Sequence, residues 1–128
     1  ALGQEVTAKK EEIKKQDEPE VLQTYPPVYI VKRGDTLPGI AGRHDIYNDS
    51  FLWPLIYKAN REIIKNPQNL PSGLTLVIPG LEGSPNKLSR RDSSEVSEGY
   101  RLLSEYYREK DPSLSDGFLK TSSQFRPE

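Results

Sequence analysis

Tyr29-Ile30-Val31-Lys32-Arg33-Gly34-Asp35-Thr36-Leu37 sets the architecture, because the secondary-structure signal changes twice within it. Tyr29-Ile30-Val31 is aromatic and β-branched, the kind of run that fits a pleated, half-buried surface, and Arg33-Gly34-Asp35 is turn chemistry. Asp35 and Thr36 are both N-cap residues and Pro38 suits a first helical turn. Leu37, Ile40 and Ala41 follow at near-helical spacing. The stretch predicts a strand, a turn and the start of a short helix.

Downstream, Asp49 and Ser50 offer a second N-cap, after which Leu52, Trp53, Ile56, Tyr57 and Asn60 recur at three- and four-residue steps and predict a second helix. Pro54 falls early enough that its missing N–H coincides with first-turn donors that have no intrahelical partner. Asn66-Pro67-Gln68-Asn69 and Pro71-Ser72-Gly73 read as turns. Leu74-Thr75-Leu76-Val77-Ile78 reads as a second strand, stopped by Pro79 and Gly80. A strand, helix, helix, strand unit of roughly 50 residues is near the smallest that holds a core of its own. Ile30, Leu37, Ile40, Trp53, Ile56, Leu76 and Ile78 are the expected core, buried between an antiparallel strand pair and both helices. Trp53 and Tyr57 are assigned to packing rather than to a ligand platform, since helical spacing turns them to one face. The predicted fold class is α+β, with a small βααβ domain over residues 28–80.

Outside that unit the signal weakens. Residues 1–20 are dominated by Lys, Glu and Gln, with Leu2, Val6 and Ile13 isolated before the Glu18-Pro19 break, and Pro26-Pro27 stops any helix; a flexible charged linker is expected over residues 1–27. Residues 81–93 read as a second linker and residues 94–121 as a helical tail of one or two helices, with a disordered end at 122–128. In the tail Val96, Tyr100, Leu103 and Tyr107 step by four, three and four, and Arg101 has Glu98 and Glu105 within helical pairing distance. Asp111-Pro112 is an N-cap followed by Pro at the first helical position, and Leu114 and Phe118 stand four apart. Such a tail packs on the βααβ unit, forms a hairpin, or docks a protein partner through the Val96, Tyr100, Leu103 and Tyr107 stripe, because a lone helix of this length is marginal in water.

Composition narrows the function classes. Hydrophobic residues make up 34% and charged residues 29% of the 128, with 11 prolines, which fits an ordered centre with looser ends. The net charge is -1, and the lysines and arginines alternate with carboxylates instead of gathering on one face as phosphate neutralisation requires. No nucleic-acid partner is expected. The absence of cysteine rules out a disulfide framework, a thiolate zinc site and a cysteine nucleophile. No apolar run approaches the ~20 residues of a membrane span. The chain contains no methionine, so Ala1 is expected to follow a removed export signal or other lost leading residues.

Candidate catalytic groups do not assemble. His44 is the sole histidine and has no ligand-spaced companion; Asp45 beside it could orient it, but a surface-loop histidine is the expected reading. The run from Asp111 to Gly117 resembles a calcium loop only loosely, with its glycine one position late and no glutamate at the twelfth. Asp35, Asp45, Asp49 and Glu62 form no evident pair for glycoside hydrolysis. Asn48-Asp49-Ser50 is a formal glycosylation sequon, relevant only in a eukaryotic secretory route. No enzyme, metal or cofactor is expected.

Taken together, the opening stretch, the segment Leu52-Trp53-Pro54-Leu55-Ile56-Tyr57-Lys58-Ala59-Asn60, and Asn66-Pro67, Gly73 and Leu76-Val77-Ile78-Pro79 resemble a bacterial-type LysM (lysin motif) domain, collinearly over residues 29–79. The resemblance implies a βααβ fold and non-catalytic binding of peptidoglycan or a chitin-like N-acetylglucosamine polymer. It implies a shallow groove between two loops, the first with Gly34, Asp35, Thr36, Leu37 and Pro38, the second with Ile64, Asn66, Pro67, Gln68, Asn69 and Leu70. A neutral sugar suits such loops. Gly34 lets the backbone approach, main-chain groups can bond an acetamido group, and Leu37, Pro38 and Leu70 are the expected apolar floor for its methyl. Two positions depart from the pattern: Pro38 stands where relatives often carry an aromatic or small polar residue, and Leu70-Pro71-Ser72-Gly73 where they place an aromatic before the proline. The expected setting is the periplasm or cell envelope. The alternative is a protein-interaction module of the same fold, with its partner on the C-terminal helix.

Overall fold

Alternation along a strand sends successive side chains to opposite faces, so a three-residue strand must choose which one it buries. The computed structural model describes residues 27–127, leaving all but the last residue of the expected N-terminal linker outside the described residues. In it, β1 (Val28–Ile30) pairs antiparallel with β2 (Thr75–Val77), Tyr29 standing opposite Leu76. Tyr29, Val31, Leu76 and Ile78 are buried, whereas Val28 and Ile30 are 46% and 58% exposed. The expected core position of Ile30 is therefore corrected. The inward face takes Tyr29, whose hydroxyl reaches Asp35 at 2.7 Å, and period two then turns Ile30 to solvent.

Helix α1 (Leu37–Ala41) starts at Thr36, whose Oγ1 accepts from the Gly39 N–H at 3.1 Å. Asp49 caps a 3-10 turn at Ser50–Leu52 by accepting from the Phe51 N–H, and the chain continues into α2 (Trp53–Ala59), with Pro54 in its first turn. Leu37, Ile40, Tyr47, Leu52, Ile56 and Leu76 are essentially fully buried between these helices and the sheet. The result is the expected α+β arrangement of a two-stranded antiparallel sheet with helices.

Just past α2, Asn60 braces the free side of β2. Its Nδ2 donates to the Ile56 and Val77 carbonyls at 2.7 and 2.9 Å, and its Oδ1 accepts from the Val77 N–H at 2.9 Å. A side-chain amide thus bonds both backbone groups of Val77 as a neighbouring strand would, which meets the requirement that buried peptide groups be paired.

The C-terminal region is larger and better packed than its sequence suggests. Helix α3 (Arg90–Tyr107) begins before residue 94, because Ser89 and Asp92 form a capping box: Ser89 Oγ accepts from the Asp92 N–H and Asp92 Oδ2 from the Ser89 N–H. Asp92 is 1% exposed and also accepts from the N–H groups of Glu82 and Gly83 at 2.8 and 2.6 Å, which ties the incoming segment to the helix. Burial alone would raise its pKa; the backbone donors outweigh that and hold the carboxyl below the ordinary value. A Cβ at Gly83 would collide with the Lys87 carbonyl oxygen, so this turn needs glycine.

Helix α4 (Pro112–Phe125) is capped by Asp111 and runs through most of the end expected to be disordered, correcting residues 122–125. Its seam with α3 is polar and small. Ser97 and Ser122 each donate to the other's carbonyl at 2.8 and 2.7 Å, and seven residues along α3 Ser104 meets Ser115. Phe125 stacks on Tyr100 at 5.6 Å, and Phe118 lies between Trp53, Tyr100 and Tyr107 at 5.7 to 6.0 Å.

Against the LysM-like half, Gly99 abuts Pro54, with a Cβ there falling 2.7 Å from the Pro54 carbonyl oxygen. The Tyr100 hydroxyl donates to the Phe51 carbonyl, and Lys58 pairs with Glu95 at 2.7 Å. Burial pushes the pKa values of Tyr100 and Tyr107 up to about 12. Val96, Tyr100, Leu103 and Tyr107 are 0 to 5% exposed, so the stripe read as a protein-docking face is corrected: the fold itself covers it. The pairing of Arg101 with Glu98 and Glu105 on the outer side holds as expected.

Candidate functional site

Three turns occupy the loops that leave β1 and enter β2. Residues 32–35 form the first, closed by the Asp35 N–H to the Lys32 carbonyl at 3.0 Å, with Gly34 at φ +89. A third-position residue with positive φ is the signature of a type II turn, and nothing lies within 4 Å of where a Cβ would stand. Glycine is needed there for conformation, and open space above the backbone comes with it. Residues 66–69 form the second turn, closed by the Asn69 N–H to the Asn66 carbonyl at 3.0 Å and stiffened by Asn66 Oδ1 accepting from the Gln68 N–H at 2.9 Å. Residues 71–74 form the third, with Gly73 at φ +91.

Backbone bonds lock the first and third of these turns together. The Gly73 N–H reaches the Val31 carbonyl at 2.8 Å and the Val31 N–H reaches the Leu74 carbonyl at 2.9 Å, so the loop leaving β1 and the loop entering β2 emerge side by side. Asp35 fixes the first loop from within, since its Oδ2 accepts from the Tyr29 hydroxyl at 2.7 Å and the Lys32 N–H at 2.8 Å. The Tyr29 hydrogen bond is the chief cause of an Asp35 pKa below the usual carboxylate value, followed by the Lys32 N–H. Burial and that same carboxylate push the Tyr29 hydroxyl up. The Lys32 ammonium and the Arg43 guanidinium each lie 5.2 Å from the Tyr29 ring centre, a cation–π arrangement that steadies the base of the loop. Of the two expected capping residues, Thr36 caps α1 and Asp35 ties the turn to the strand.

The residues expected to meet a ligand divide by exposure. Gly34, Thr36, Pro38, Asn66, Gln68 and Asn69 are exposed, and Asp35 and Leu70 are half-buried. Leu37 and Ile64 are 0% and 4% exposed and Pro67 is buried, so these three support the loops from below. The expectation that the Leu37 side chain forms part of an apolar floor is corrected: as the first residue of α1 it points into the core, leaving Pro38 and Leu70 for that role. The remaining polar groups on the loops are main-chain N–H and C=O groups, Asn and Gln amides and one hydroxyl, which suit a neutral, hydrogen-bonding ligand.

Three features of this region were not read from the sequence. Tyr106 of α3 donates from its hydroxyl to the Lys65 carbonyl at 3.2 Å, bracing the second loop from the C-terminal region. Asn60 and Asp92, described above, are buried polar residues held chiefly by backbone groups, with Arg91 also 3.6 Å from Asp92, a role that residue type alone does not announce. His44 is exposed, and Asp45 pairs with Arg43 at 3.1 Å rather than orienting it. Among the described residues no group of three His, Cys, Asp or Glu is placed to hold a metal ion, and no helix is long and apolar enough to cross a membrane. Two open clefts lie away from the loops, one of about 400 Å³ lined by His44, Asn48, Asp49 and Asn86, the other of about 500 Å³ between Lys58 and Val77.

The family model of the LysM domain matches residues 29–79. This segment is a LysM domain. Its boundaries run from the buried Tyr29 of β1 to Pro79, which accepts a hydrogen bond from the Tyr47 hydroxyl, and leave α3 and α4 outside the match. LysM domains are in general binding modules for peptidoglycan or N-acetylglucosamine glycans, generally non-catalytic, and typical of extracellular or cell-envelope proteins. No curated protein and no solved structure matches the chain.

Proposed function

We propose that the LysM domain of this protein is a non-catalytic binding site for peptidoglycan, or a related N-acetylglucosamine polymer, in the bacterial cell envelope. The glycan lies across residues 34–38 and 66–70. The observation that carries this reading is the pair of backbone-locked turns, 32–35 and 71–74, held side by side by the Val31 bonds to Gly73 and Leu74, with residues 66–70 leading directly into the second. These present exposed main-chain groups and the Asn66, Gln68 and Asn69 side chains beside the apolar rings and chains of Pro38 and Leu70. Rigid turns suit weak, neutral recognition, because little conformational freedom is lost when the sugar arrives.

A single shallow groove of this kind binds weakly, so retention on a polymer depends on several groove-bearing copies or a second attachment acting together. The test is co-sedimentation of the purified chain with insoluble peptidoglycan. The expected result is retention that soluble N-acetylglucosamine oligomers compete away and that cellulose does not reproduce. Equal retention on cellulose, or none on peptidoglycan, overturns the proposal.

A further inference from the structure

The loops of the proposed site are anchored by different means. Residues 32–35 and 71–74 are tied to each other by the Val31 bonds to Gly73 and Leu74. Residues 65–70 have no such tie. Among the described residues no backbone–backbone hydrogen bond joins them to a strand or helix, and the 66–69 turn closes on itself, from Asn69 to Asn66 and from Gln68 to Asn66. Burial of Ile64 and Pro67 holds the base of the loop, but apolar packing is non-directional and leaves its orientation open. A directional contact comes from outside the LysM match: the Tyr106 hydroxyl of α3 donates to the Lys65 carbonyl at 3.2 Å, on the peptide group that leads into Asn66. Tyr106 is itself held in place. Its ring meets that of Tyr107 at near right angles, 4.8 Å between centres, and the Lys110 ammonium lies 4.3 Å from its own centre. Tyr107 in turn is buried and lies 5.7 Å from Phe118 of α4. A row of side chains thus runs from α4 to the backbone of the loop.

Resting on the glycan-binding reading above, we infer that Tyr106 is a positioning residue for the glycan site. It orients the peptide group ahead of Asn66, and through it the amides of Asn66, Gln68 and Asn69, so that affinity depends on helices beyond the LysM domain. Tyr106 acts through the loop rather than by touching sugar. Loop groups that already point towards the ligand lose less freedom on association. A neutral hydrogen bond contributes a modest net amount, of which part is felt at the ligand, so removal of the Tyr106 hydroxyl weakens binding about threefold. The fold itself does not rest on this bond, which lies at the surface, because the helices also meet the LysM domain at Gly99, Tyr100 and Glu95.

Isothermal titration of the full chain with an N-acetylglucosamine oligomer tests this in two variants. Tyr106→Phe deletes the hydroxyl and keeps the ring. Ser122→Ala deletes a hydroxyl from the α3–α4 seam, where its partner Ser97 lies about 14 Å along α3 from Tyr106. The expected result is that Y106F binds about threefold more weakly with an unchanged melting temperature, whereas S122A melts earlier and binds as tightly as the unmodified chain. NMR supplies the readout that a purely structural role would not move: in Y106F the carbonyl carbon of Lys65 shifts and the backbone order parameters of Asn66, Gln68, Asn69 and Leu70 fall, while those of residues 32–35 stay as they were. Undiminished affinity in Y106F, or an equal loss in S122A, overturns the inference and leaves glycan binding intact. Failure of the unmodified chain to bind the oligomer at millimolar concentration overturns both.

Discussion

The LysM domain and the C-terminal helices use exposed and buried polarity in opposite ways. On the loops at residues 34–38 and 66–70, polar side chains such as Thr36 and Asn66 bond within their own turns while the surface stays open to solvent. In α3 and α4 the polar residues Asp92, Ser97, Ser104, Ser115 and Ser122 are buried, and each is satisfied by a partner across a seam or from the incoming segment. The first arrangement leaves a surface free to bind; the second fixes the position of one element against another. The aromatic stripe of α3, which on sequence alone invites a partner, is closed over by α2 and α4. The Tyr106 bond to Lys65 and the Gly99 contact with Pro54 join the two regions, so the helices buttress the binding domain.

Breaking the buttress gives the largest expected effect. Leu103 is fully buried, and Leu103→Ala is expected to destabilise the protein by about 3 kcal/mol in chemical denaturation. Trp53 fluorescence and far-ultraviolet circular dichroism should report one shared transition; two separated transitions would dissolve the picture of a buttress and leave two independent units.

Asp92→Asn comes next, at about 2 kcal/mol near neutral pH, because the buried N–H groups of Glu82, Gly83 and Ser89 lose a charged acceptor. The pH dependence has a definite sign. The folded pKa lies below the ordinary value of 3.8, so this contribution is fully present above that value and disappears as pH falls through the folded pKa. The variant should lose that part of the acid slope; an unchanged slope in an acid titration of stability would contradict it.

On the LysM side, Asn60→Ala should cost about 2 kcal/mol by orphaning both backbone groups of Val77, measurable as faster amide exchange at Val77. Gly34→Val is the smallest in stability, about 1 to 2 kcal/mol for a β-branched residue at φ +89, yet it should weaken glycan binding more than any of the others because it reshapes the turn. Unaltered affinity in this variant would remove the first loop from the site.

How far these regions could be read from sequence follows the same divide. The βααβ order was legible because caps, turns and strands carry local signals: Thr36, Asp49, Pro54, Gly34 and Gly73 all act where their chemistry places them. The face of β1 was not, since Tyr29-Ile30-Val31 is apolar throughout and alternation shows only once Asp35 claims the tyrosine. Leu37 was read both as core and, through the resemblance, as groove floor; only the first holds, because a helix start turns direction from one residue to the next and buries Leu37 between exposed Thr36 and Pro38. The sequence carries no local signal at serines 97, 104, 115 and 122; only a helix packed against them turns them into a buried seam, and with them the end of α4 becomes ordered.

The central claim is that the two turns form the glycan site, and residue-resolved NMR of the full chain titrated with an N-acetylglucosamine oligomer tests it most directly. The account predicts saturable shifts confined to the amides of residues 34–38 and 64–70, with α3 and α4 unmoved apart from Tyr106. Shifts centred on the clefts at His44 or Val77, or none at millimolar ligand, would contradict it.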